Sequence, residues 1–316
     1  MSPLPADPFL LDCRGRRLDA RPGRAHVMGI LNVTPDSFSD GGQFFGHGLD
    51  VALRRAETML GEGAVLIDVG GESTRPRGTV YGEGAAPVGE DEEKRRVLPV
   101  IEAVAARFPE ALISVDTYKP GVAAAALEAG AHLVNDVTGL RGGDGTARAA
   151  ARFGAPLVVM HALGEPGAMP HAHAYGDVVE EVKASLAASV RAAEAAGVHD
   201  VIVDPGFGFG KSAEENLRLV GRADAFLALG RPVLVGISRK STIGAVLGQP
   251  GTPVPVEDRL FGTLGATAVA VLRGASIVRT HDVRATAEML RVLMATVTAA
   301  ADTPATESAA FAEDGR

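Results

Sequence analysis

This 316-residue chain contains eight short apolar runs, and they limit its possible folds more than any other feature. Each run ends in a polar or charged residue that could bind a ligand or take part in catalysis. Stretches rich in Ala, Leu, Glu and Arg separate consecutive runs and are long enough for a helix. Strands that alternate with helices predict a parallel sheet, and eight such units close a (β/α)8 TIM barrel of the α/β class. The runs end at Asn32, Asp68, Asp116, Asn135 with Asp136, His161, Asp204, Lys240 and His281. Because the carboxyl ends of barrel strands point to one face, these side chains are predicted to share one mouth.

The length of the chain fits one barrel of about 250 residues with short appendages. We predict an N-terminal extension over residues 1–25, in which a hairpin plugs the bottom of the barrel. The catalytic barrel is predicted over residues 26–300, and a polar, small-residue-rich segment over residues 301–316 is predicted to be a flexible tail. Long glycine-rich loops after the first two strands are predicted to act as lids over the mouth.

Charge and composition exclude several classes of partner. The net charge of −8 leaves no basic face for nucleic acid, and the apolar runs are too short to span a membrane. No basic and apolar leader is visible at the start. The single cysteine, Cys13, rules out an internal disulfide framework and favours a reducing compartment. We therefore expect a soluble, cytoplasmic enzyme that acts on small molecules.

Basic and hydroxyl side chains follow the seventh and eighth runs, where TIM barrels often bind phosphate. An Arg side chain offers a planar fork to phosphate oxygens, a Lys offers a point charge, and a helix start offers backbone N–H groups. These features predict an anion site, and the alternative is a salt-bridged surface cluster. The residues concerned are Ser238, Arg239, Lys240, Ser241, Arg279 and His281.

Two carboxylates and an amide, Asp116, Asn135 and Asp204, end the third, fourth and sixth runs. A carboxylate only accepts hydrogen bonds, so this set suits a flat ligand rich in N–H donors, such as an aminopyrimidine edge. A metal site is the alternative, since Asp, Asn and His are all metal ligands. The glycine-rich segment over residues 204–212 follows, with Phe207 and Phe209 placed to flank a planar ring.

Seven segments, taken in this order, resemble the dihydropteroate synthase family. They are MGILNVTPDSFSDGG (28–42), IDVGGESTRP (67–76), SVDTYKP (114–120), VNDVTG (134–139), DPGFGFGKS (204–212), GISRKS (236–241) and RTHDV (279–283). The resemblance runs from about His26 to Met294. It implies that 6-hydroxymethyl-7,8-dihydropterin diphosphate and 4-aminobenzoate condense to 7,8-dihydropteroate and pyrophosphate, by dissociative displacement of pyrophosphate and with Mg2+ as cofactor. It also implies a homodimer formed through the last helices.

The resemblance assigns roles residue by residue. The implied catalytic residues are Asn32, Asp36, Asp116 and Lys240, and Asn32 is also the implied Mg2+ ligand. The implied pterin pocket consists of Asp116, Asn135, Met160, Asp204, Gly236 and Lys240. The implied diphosphate contacts are Asn32, Thr74, Arg279 and His281. The implied 4-aminobenzoate contacts are Phe38, Arg75, Pro76, Phe209, Lys240 and Ser241.

Two other functions are compatible with such a barrel. One is a pterin-binding barrel of the folate-dependent methyltransferase type, which would not need the cluster formed by Lys240, Arg279 and His281. The other is a catalytically silent paralogue that binds pterin or a partner protein. The segment over residues 77–84 is an apparent extension of the second loop relative to the family, and its role is open.

Overall fold

A computed structural model describes residues 7–33, 47–72, 88–163 and 175–301. Within them the chain forms the predicted (β/α)8 barrel, preceded by an antiparallel hairpin of β1 (Leu10–Asp12) and β2 (Arg17–Asp19). The barrel strands are β3 (His26–Asn32), β4 (Leu66–Gly70), β5 (Leu112–Asp116), β6 (Leu133–Asp136), β7 (Leu157–Met160), β8 (Val201–Asp204), β9 (Leu234–Val235) and β10 (Ile277–Thr280). The helices are α1 (His47–Gly61), α2 (Glu90–Arg107), α3 (Pro120–Glu128), α4 (Gly145–Phe153), α5 (Val178–Ala195), α6 (Ala213–Gly221), α7 (Ser241–Leu247), α8 (Leu260–Leu272) and α9 (Val283–Ala301).

The eight barrel strands lie in the order β8-β7-β6-β5-β4-β3-β10-β9, and every hydrogen-bonded neighbour is parallel. The ring is completed between β8 and β9 by a single bridge from Val203 to Val233. The N–H of Val203 donates to the carbonyl of Pro232 at 2.9 Å beside that bridge. Strand β9 has only two residues, because Val233 pairs only through this bridge.

Alternation along each strand separates the two sides of the sheet. One set of side chains packs outward against the helices and includes Ile67, Val115, Val159, Val203 and Val278. The opposite set forms an apolar layer at the amino ends of the strands. Its strand members are Met28, Leu66, Leu112, Leu133, Val158, Ile202, Leu234 and Ile277. Because side chains alternate along a strand, the residues two and four positions further on also face the interior, nearer the mouth.

The hairpin covers the apolar layer from below, as predicted. Its residues Leu11, Cys13, Leu18 and Ala20 are buried in the same cluster as the strand residues. The guanidinium of Arg14 donates to the carbonyls of Leu127 and Ala131 at 2.7 and 2.5 Å. Burial raises the pKa of the Cys13 thiol to about 12, so this thiol stays protonated. The hairpin therefore closes the bottom of the barrel with apolar side chains and ties its turn to α3.

Several expectations fall outside the described residues. Most of both predicted lids lies there, since residues 34–46 and 73–87 are not among them. The same holds for the predicted tail apart from Ala301, which ends α9. A 3-10 turn, Val256–Arg259, directly precedes α8. Among the helices in the described ranges, none has the length and apolar character needed to cross a bilayer.

Shortening one buried hairpin side chain tests the closing role of the hairpin. We expect Leu11→Ala to lower the free energy of unfolding by about 2–5 kcal/mol, because a fully buried leucine leaves both lost transfer energy and a cavity. Urea denaturation followed by far-UV circular dichroism measures this change. Val51→Ala, a partly exposed position on α1, is the control and should cost less than about 1 kcal/mol. Equal effects of the two substitutions would contradict a hairpin that belongs to the core.

Candidate active site

The structure brings together the predicted site residues that it describes. Asn32, Asp116, Met160 and Asp204 are the last residues of β3, β5, β7 and β8. The remaining ones follow nearby, and they are Asn135 on β6, Phe209 after β8, Gly236, Lys240 and Ser241 after β9, Arg279 on β10 and His281 after it. Asp36, Phe38, Thr74, Arg75 and Pro76 lie outside the described residues. Their assigned roles stay predictions.

Arg279 joins two carboxylates at the centre of the mouth. Its Nε donates to Oδ2 of Asp68 at 2.6 Å, and its Nη2 donates to Oδ2 of Asp116 at 2.7 Å. Asp68 is fully buried and Asp116 is 8% exposed. Burial opposes the charge of Arg279, but the two carboxylates outweigh it and raise its pKa. Arg279 is therefore a fixed cation between two acids rather than an extended surface side chain.

Asp68 is a member of this centre to which the sequence assigned no role. It ends the second apolar run, and its position two residues after Leu66 places it on the inward face. Its Oδ2 also accepts a hydrogen bond from Nδ2 of Asn135 at 3.1 Å. That bond fixes the orientation of the Asn135 amide and turns its Oδ1 away from Asp68. The alternation of inward and outward residues along β4 could have identified Asp68, because it places every second residue after Leu66 on the inward face.

Asp116 keeps one carboxylate oxygen for a ligand. Its Oδ1 is buried and has no hydrogen-bond partner among the described residues. Burial raises the pKa of Asp116 to about 7, while Arg279 opposes the rise and Asp68 adds to it. A buried acceptor without a donor is unfavourable by about 1–3 kcal/mol. The site is therefore suited to a ligand that brings an N–H group to Asp116.

Asp204 and Lys240 form the second half of the pocket. Oδ1 of Asp204 accepts the N–H of Gly206 at 2.7 Å, and burial raises the pKa of this carboxyl although Lys240 opposes the rise. Burial lowers the pKa of Lys240 to about 7, and Asp204 counters that effect. The Lys240 Nζ donates to the carbonyl of Phe207 and lies 4.1 Å from the ring centroid of Phe209. Asp204 and Lys240 therefore interact electrostatically within one buried region.

Apolar side chains form one wall of the same pocket. Val137, Met160 and Ala162 make a buried cluster, and Phe209 packs against it. This places the predicted residues Met160 and Phe209 in one contiguous surface. Gly236 adds open space, because a Cβ placed there would meet only Cβ of Arg279, at 3.9 Å. A flat aromatic ligand has an apolar surface to stack on and polar groups at its edge.

The predicted anion cluster divides into two parts. His281 lies beside Ser238, with 3.0 Å between Nδ1 and the hydroxyl oxygen, and this contact orients the imidazole ring. Arg239 instead forms a bidentate ion pair with Asp282, at 2.9 and 2.5 Å. Its φ of +57° and the bond from Arg259 to its carbonyl fix the main chain in that turn. The alternative of a salt-bridged surface pair thus describes Arg239. His281 is held by Ser238 and lines the same polar pocket as Arg239 and Asp282.

Comparisons with known proteins agree with this geometry. The profile of the family described as "Pterin binding enzyme" matches residues 28–281. The dihydropteroate synthase of Escherichia coli (strain K12) is 45% identical over 291 residues, which cover 92% of this chain and 97% of that protein.

Two solved structures are similar over nearly their whole length. The dihydropteroate synthase of Xanthomonas albilineans with 4-aminobenzoic acid has a TM-score of 0.80 and 43% identity, covering 94% of this chain and 99% of that one. The enzyme from the same organism in complex with 7,8-dihydropteroate has a TM-score of 0.77 and 40% identity, covering 93% of this chain and 100% of that one.

The raised pKa of Asp116 predicts how one substitution changes the pH dependence of stability. A carboxyl whose pKa is higher in the folded state stabilises most when protonated, and this contribution is lost as the pH rises through the folded-state pKa. We expect the free energy of unfolding of Asp116→Asn, relative to the unaltered protein, to increase from about pH 4 to about pH 7.5 and then level off. Urea denaturation across this range measures the difference. Asp224→Asn, at an exposed position of the 3-10 turn Ala223–Leu229, controls for exchanging a carboxyl for an amide. A relative stability of Asp116→Asn that falls with pH would contradict the assignment.

Proposed function

The chain belongs to the pterin binding enzyme family, and we propose from this membership and from the site geometry that it catalyses the dihydropteroate synthase reaction. In this reaction the amino group of 4-aminobenzoate replaces the diphosphate of 6-hydroxymethyl-7,8-dihydropterin diphosphate. The products are 7,8-dihydropteroate and pyrophosphate, and the enzyme is a transferase of folate biosynthesis. The observation that carries the proposal is the buried set of acceptors, Asp116, Asn135 and Asp204, beside the ammonium of Lys240 and an apolar wall.

The acceptors match the edge of a pterin ring. A pterin presents an exocyclic amino group and ring N–H groups in one plane, and carboxylates accept such donors. Asp116 Oδ1 and Asn135 Oδ1 are acceptors fixed in place by Arg279 and Asp68. Each hydrogen bond to a charged group contributes about 1.5–3 kcal/mol, which is enough to select a pterin over a ring without these donors. Lys240 would donate to an acceptor of the same ring.

The diphosphate and the metal ion would lie at the other side of the mouth. Asn32 at the end of β3, Arg279 on β10 and His281 after it are the described residues assigned to this part. The described parts of the chain hold no group of three or more His, Cys, Asp or Glu side chains able to form a metal site of their own. Mg2+ commonly binds through one or two protein oxygens together with substrate phosphates and waters, and the Asn32 amide oxygen fits that donor set. When bound there, Mg2+ would neutralise negative charge on the diphosphate.

The chemical step breaks the bond between the methylene carbon and the diphosphate oxygen. The electron pair leaves with pyrophosphate, and positive charge spreads from the methylene into the pterin ring. The Asp116 carboxylate offsets this charge, while Arg279 and His281 supply positive potential and hydrogen bonds toward the leaving group. The arylamine nitrogen then forms the new C–N bond and releases its proton to pyrophosphate or water. This order of events is a hypothesis, and near-full turnover of Asp116→Asn would count against it.

A homodimer is the second part of the proposal. Apolar side chains of α6, α7 and α8 line an exposed groove of about 310 Å³. Val246 and Leu247 on α7 are about half exposed, and Phe261 on α8 is 83% exposed. Exposed apolar surface of this kind is typical of a protein interface. The family resemblance implies a second copy of the chain through the last helices, and α7 and α8 are among them.

A cytoplasmic location stays a prediction. It follows from the single cysteine, which is buried and without a disulfide partner, as is usual in reducing compartments.

Release of pyrophosphate tests the catalytic proposal. Purified protein given the dihydropterin diphosphate and Mg2+ is expected to release pyrophosphate only when 4-aminobenzoate is present. We expect Lys240→Ala to lower kcat/KM at least about 100-fold, because it removes a fixed charge from the pocket. Lys183→Ala, on the surface of α5, is the matched control and should turn over as the unaltered protein does.

Other outcomes of this assay would select among the alternatives. Tight pterin binding without pyrophosphate release would support the silent paralogue and overturn the transferase. Methyl transfer from a folate in place of condensation would support the methyltransferase type.

A charge placed in the apolar groove tests the homodimer. We expect the unaltered protein to have twice the 32.5 kDa mass of one chain. Leu247→Glu should shift it to the monomer mass, because a buried unpaired carboxylate is strongly unfavourable. Size-exclusion chromatography with light scattering measures the mass, and Val51→Glu on α1 is the control. A monomeric unaltered protein would contradict this part of the proposal.

A further inference from the structure

We propose that Lys211 is a positioning residue whose ammonium holds the loop over residues 205–210 in the shape that the pterin pocket requires. The inference rests on the proposed function, since it names a further residue on which the same pocket depends. Lys211 belongs to the glycine-rich segment, yet the resemblance assigns it no contact with either substrate. It follows the loop directly and precedes α6.

The ammonium of Lys211 is surrounded by backbone carbonyls. Its Nζ donates to Gly206 at 2.8 Å and to Phe209 at 3.1 Å, both within the loop. It also lies 3.4 Å from the carbonyl of His161, the residue after β7. An ammonium has three N–H donors, so these three acceptors match it completely. Lys211 therefore ties the loop after β8 to the end of the neighbouring strand.

The conformation of the loop explains why a cation is needed there. Gly206, Gly208 and Gly210 have φ values of +71°, +81° and +67°, in the left-handed region. A Cβ at Gly206 would lie only 1.7 Å from the carbonyl oxygen of His161, so the backbone runs directly against that oxygen. Carbonyl oxygens that converge in this way repel one another, and the ammonium between them turns the repulsion into attraction.

The same loop carries the partners of Lys240. The ammonium of Lys240 donates to the carbonyl of Phe207 and lies over the ring of Phe209. Phe209 in turn packs on the apolar wall with Met160. A shift of the loop would therefore displace Lys240 and one wall of the pocket without altering either side chain.

Asn216 on α6 holds the outer side of the loop by neutral hydrogen bonds. Its Oδ1 accepts the N–H of Gly208 at 2.7 Å, and its Nδ2 donates to the carbonyl of Lys211 at 3.2 Å. The same Nδ2 lies 2.9 Å from the hydroxyl of Thr242, on α7. The loop is thus fixed from two sides, and Lys211 provides the charged side.

The surroundings of Lys211 include charges of both signs. Burial lowers the pKa of this lysine to about 7, while Asp204 and Glu215 raise it and Lys240 and Arg141 lower it further. The neutral amine has two N–H donors for three carbonyls, so the contacts favour the charged form. The charged form is therefore the one that satisfies all three carbonyls, and burial acts against it.

Removing the charge while keeping the stem is the first test. We expect Lys211→Met to raise the KM for the dihydropterin diphosphate about tenfold or more, with a smaller change in kcat, because binding depends on the loop. Lys183→Met is the matched control and should leave both constants unchanged. A folded Lys211→Met protein with a KM within about twofold of the unaltered protein would overturn the proposal.

Hydrogen exchange provides a readout that does not need turnover. The N–H groups of Gly208 and Phe209 are bonded to Asn216 and Gly206, and they should exchange at least about tenfold faster in Lys211→Met. Unchanged exchange there would overturn the proposal. Because this measurement uses no substrate, failure of the catalytic proposal and failure of this one can be distinguished.

Chemical rescue covers the case in which Lys211→Met does not fold. Lys211→Ala opens space for a small cation, and ammonium chloride should slow exchange at Phe209 more than sodium chloride at equal ionic strength. Rescue by ammonium supports a charge held by carbonyls, and equal behaviour in the two salts contradicts it.

Discussion

The bridge that Arg279 forms between Asp68 and Asp116 is the interaction on which the mouth of this barrel depends. Two carboxylates buried this close to each other would repel strongly without a cation between them. The arginine satisfies one oxygen of each and leaves Oδ1 of Asp116 for a ligand. Asn135 is oriented through Asp68, so one ion cluster sets the positions of two pterin contacts. Burying these charges costs desolvation free energy, and their mutual attraction offsets that cost only while all of them stay in place.

The interior of the barrel changes from apolar to polar along its axis. One inward residue of each strand belongs to the apolar layer in which the hairpin side chains are also buried, and this layer forms the floor of the site. Asp68, Asn135, Asp204 and Arg279 each follow that residue by two positions. Polar groups are therefore held above a dry core, where hydrogen bonds are strong and water is scarce. The apolar layer at the amino ends of the strands stabilises the barrel, so the carboxyl ends can hold polar side chains for catalysis.

Much of the fold could be predicted from the sequence because apolar runs and their spacing report strands directly. Strands β3, β5, β6 and β8 end at the residues where the apolar runs end, Asn32, Asp116, Asp136 and Asp204. Strand β9 is short because it pairs with β10 over two residues and with β8 only through the bridge at Val233, and such pairing is a tertiary property with no local signal.

The prediction of the site from the sequence was less complete than the prediction of the fold. Residues at strand ends could be located, but their partners could not, since contacts such as Arg279 with Asp68 join positions 211 apart in sequence. For the same reason, the sequence could not show that Arg239 pairs with Asp282, nor that Lys211 contacts three carbonyls. The assignments of Asp36, Phe38, Thr74, Arg75 and Pro76 concern residues outside the described ranges and stay predictions.

The closure between β8 and β9 has a consequence for how binding and folding are linked. These strands share one bridge, whereas the hydrogen-bonded neighbours elsewhere pair over two to five residues. We therefore expect local opening of the barrel to need less free energy at this seam than between strands that pair over more residues. Asp204 lies on one side of it and Lys240 on the other. A ring held by both residues would act as an added cross-link across this seam. Binding in the pocket would then stabilise the closed barrel, and opening of the seam would release the ligand.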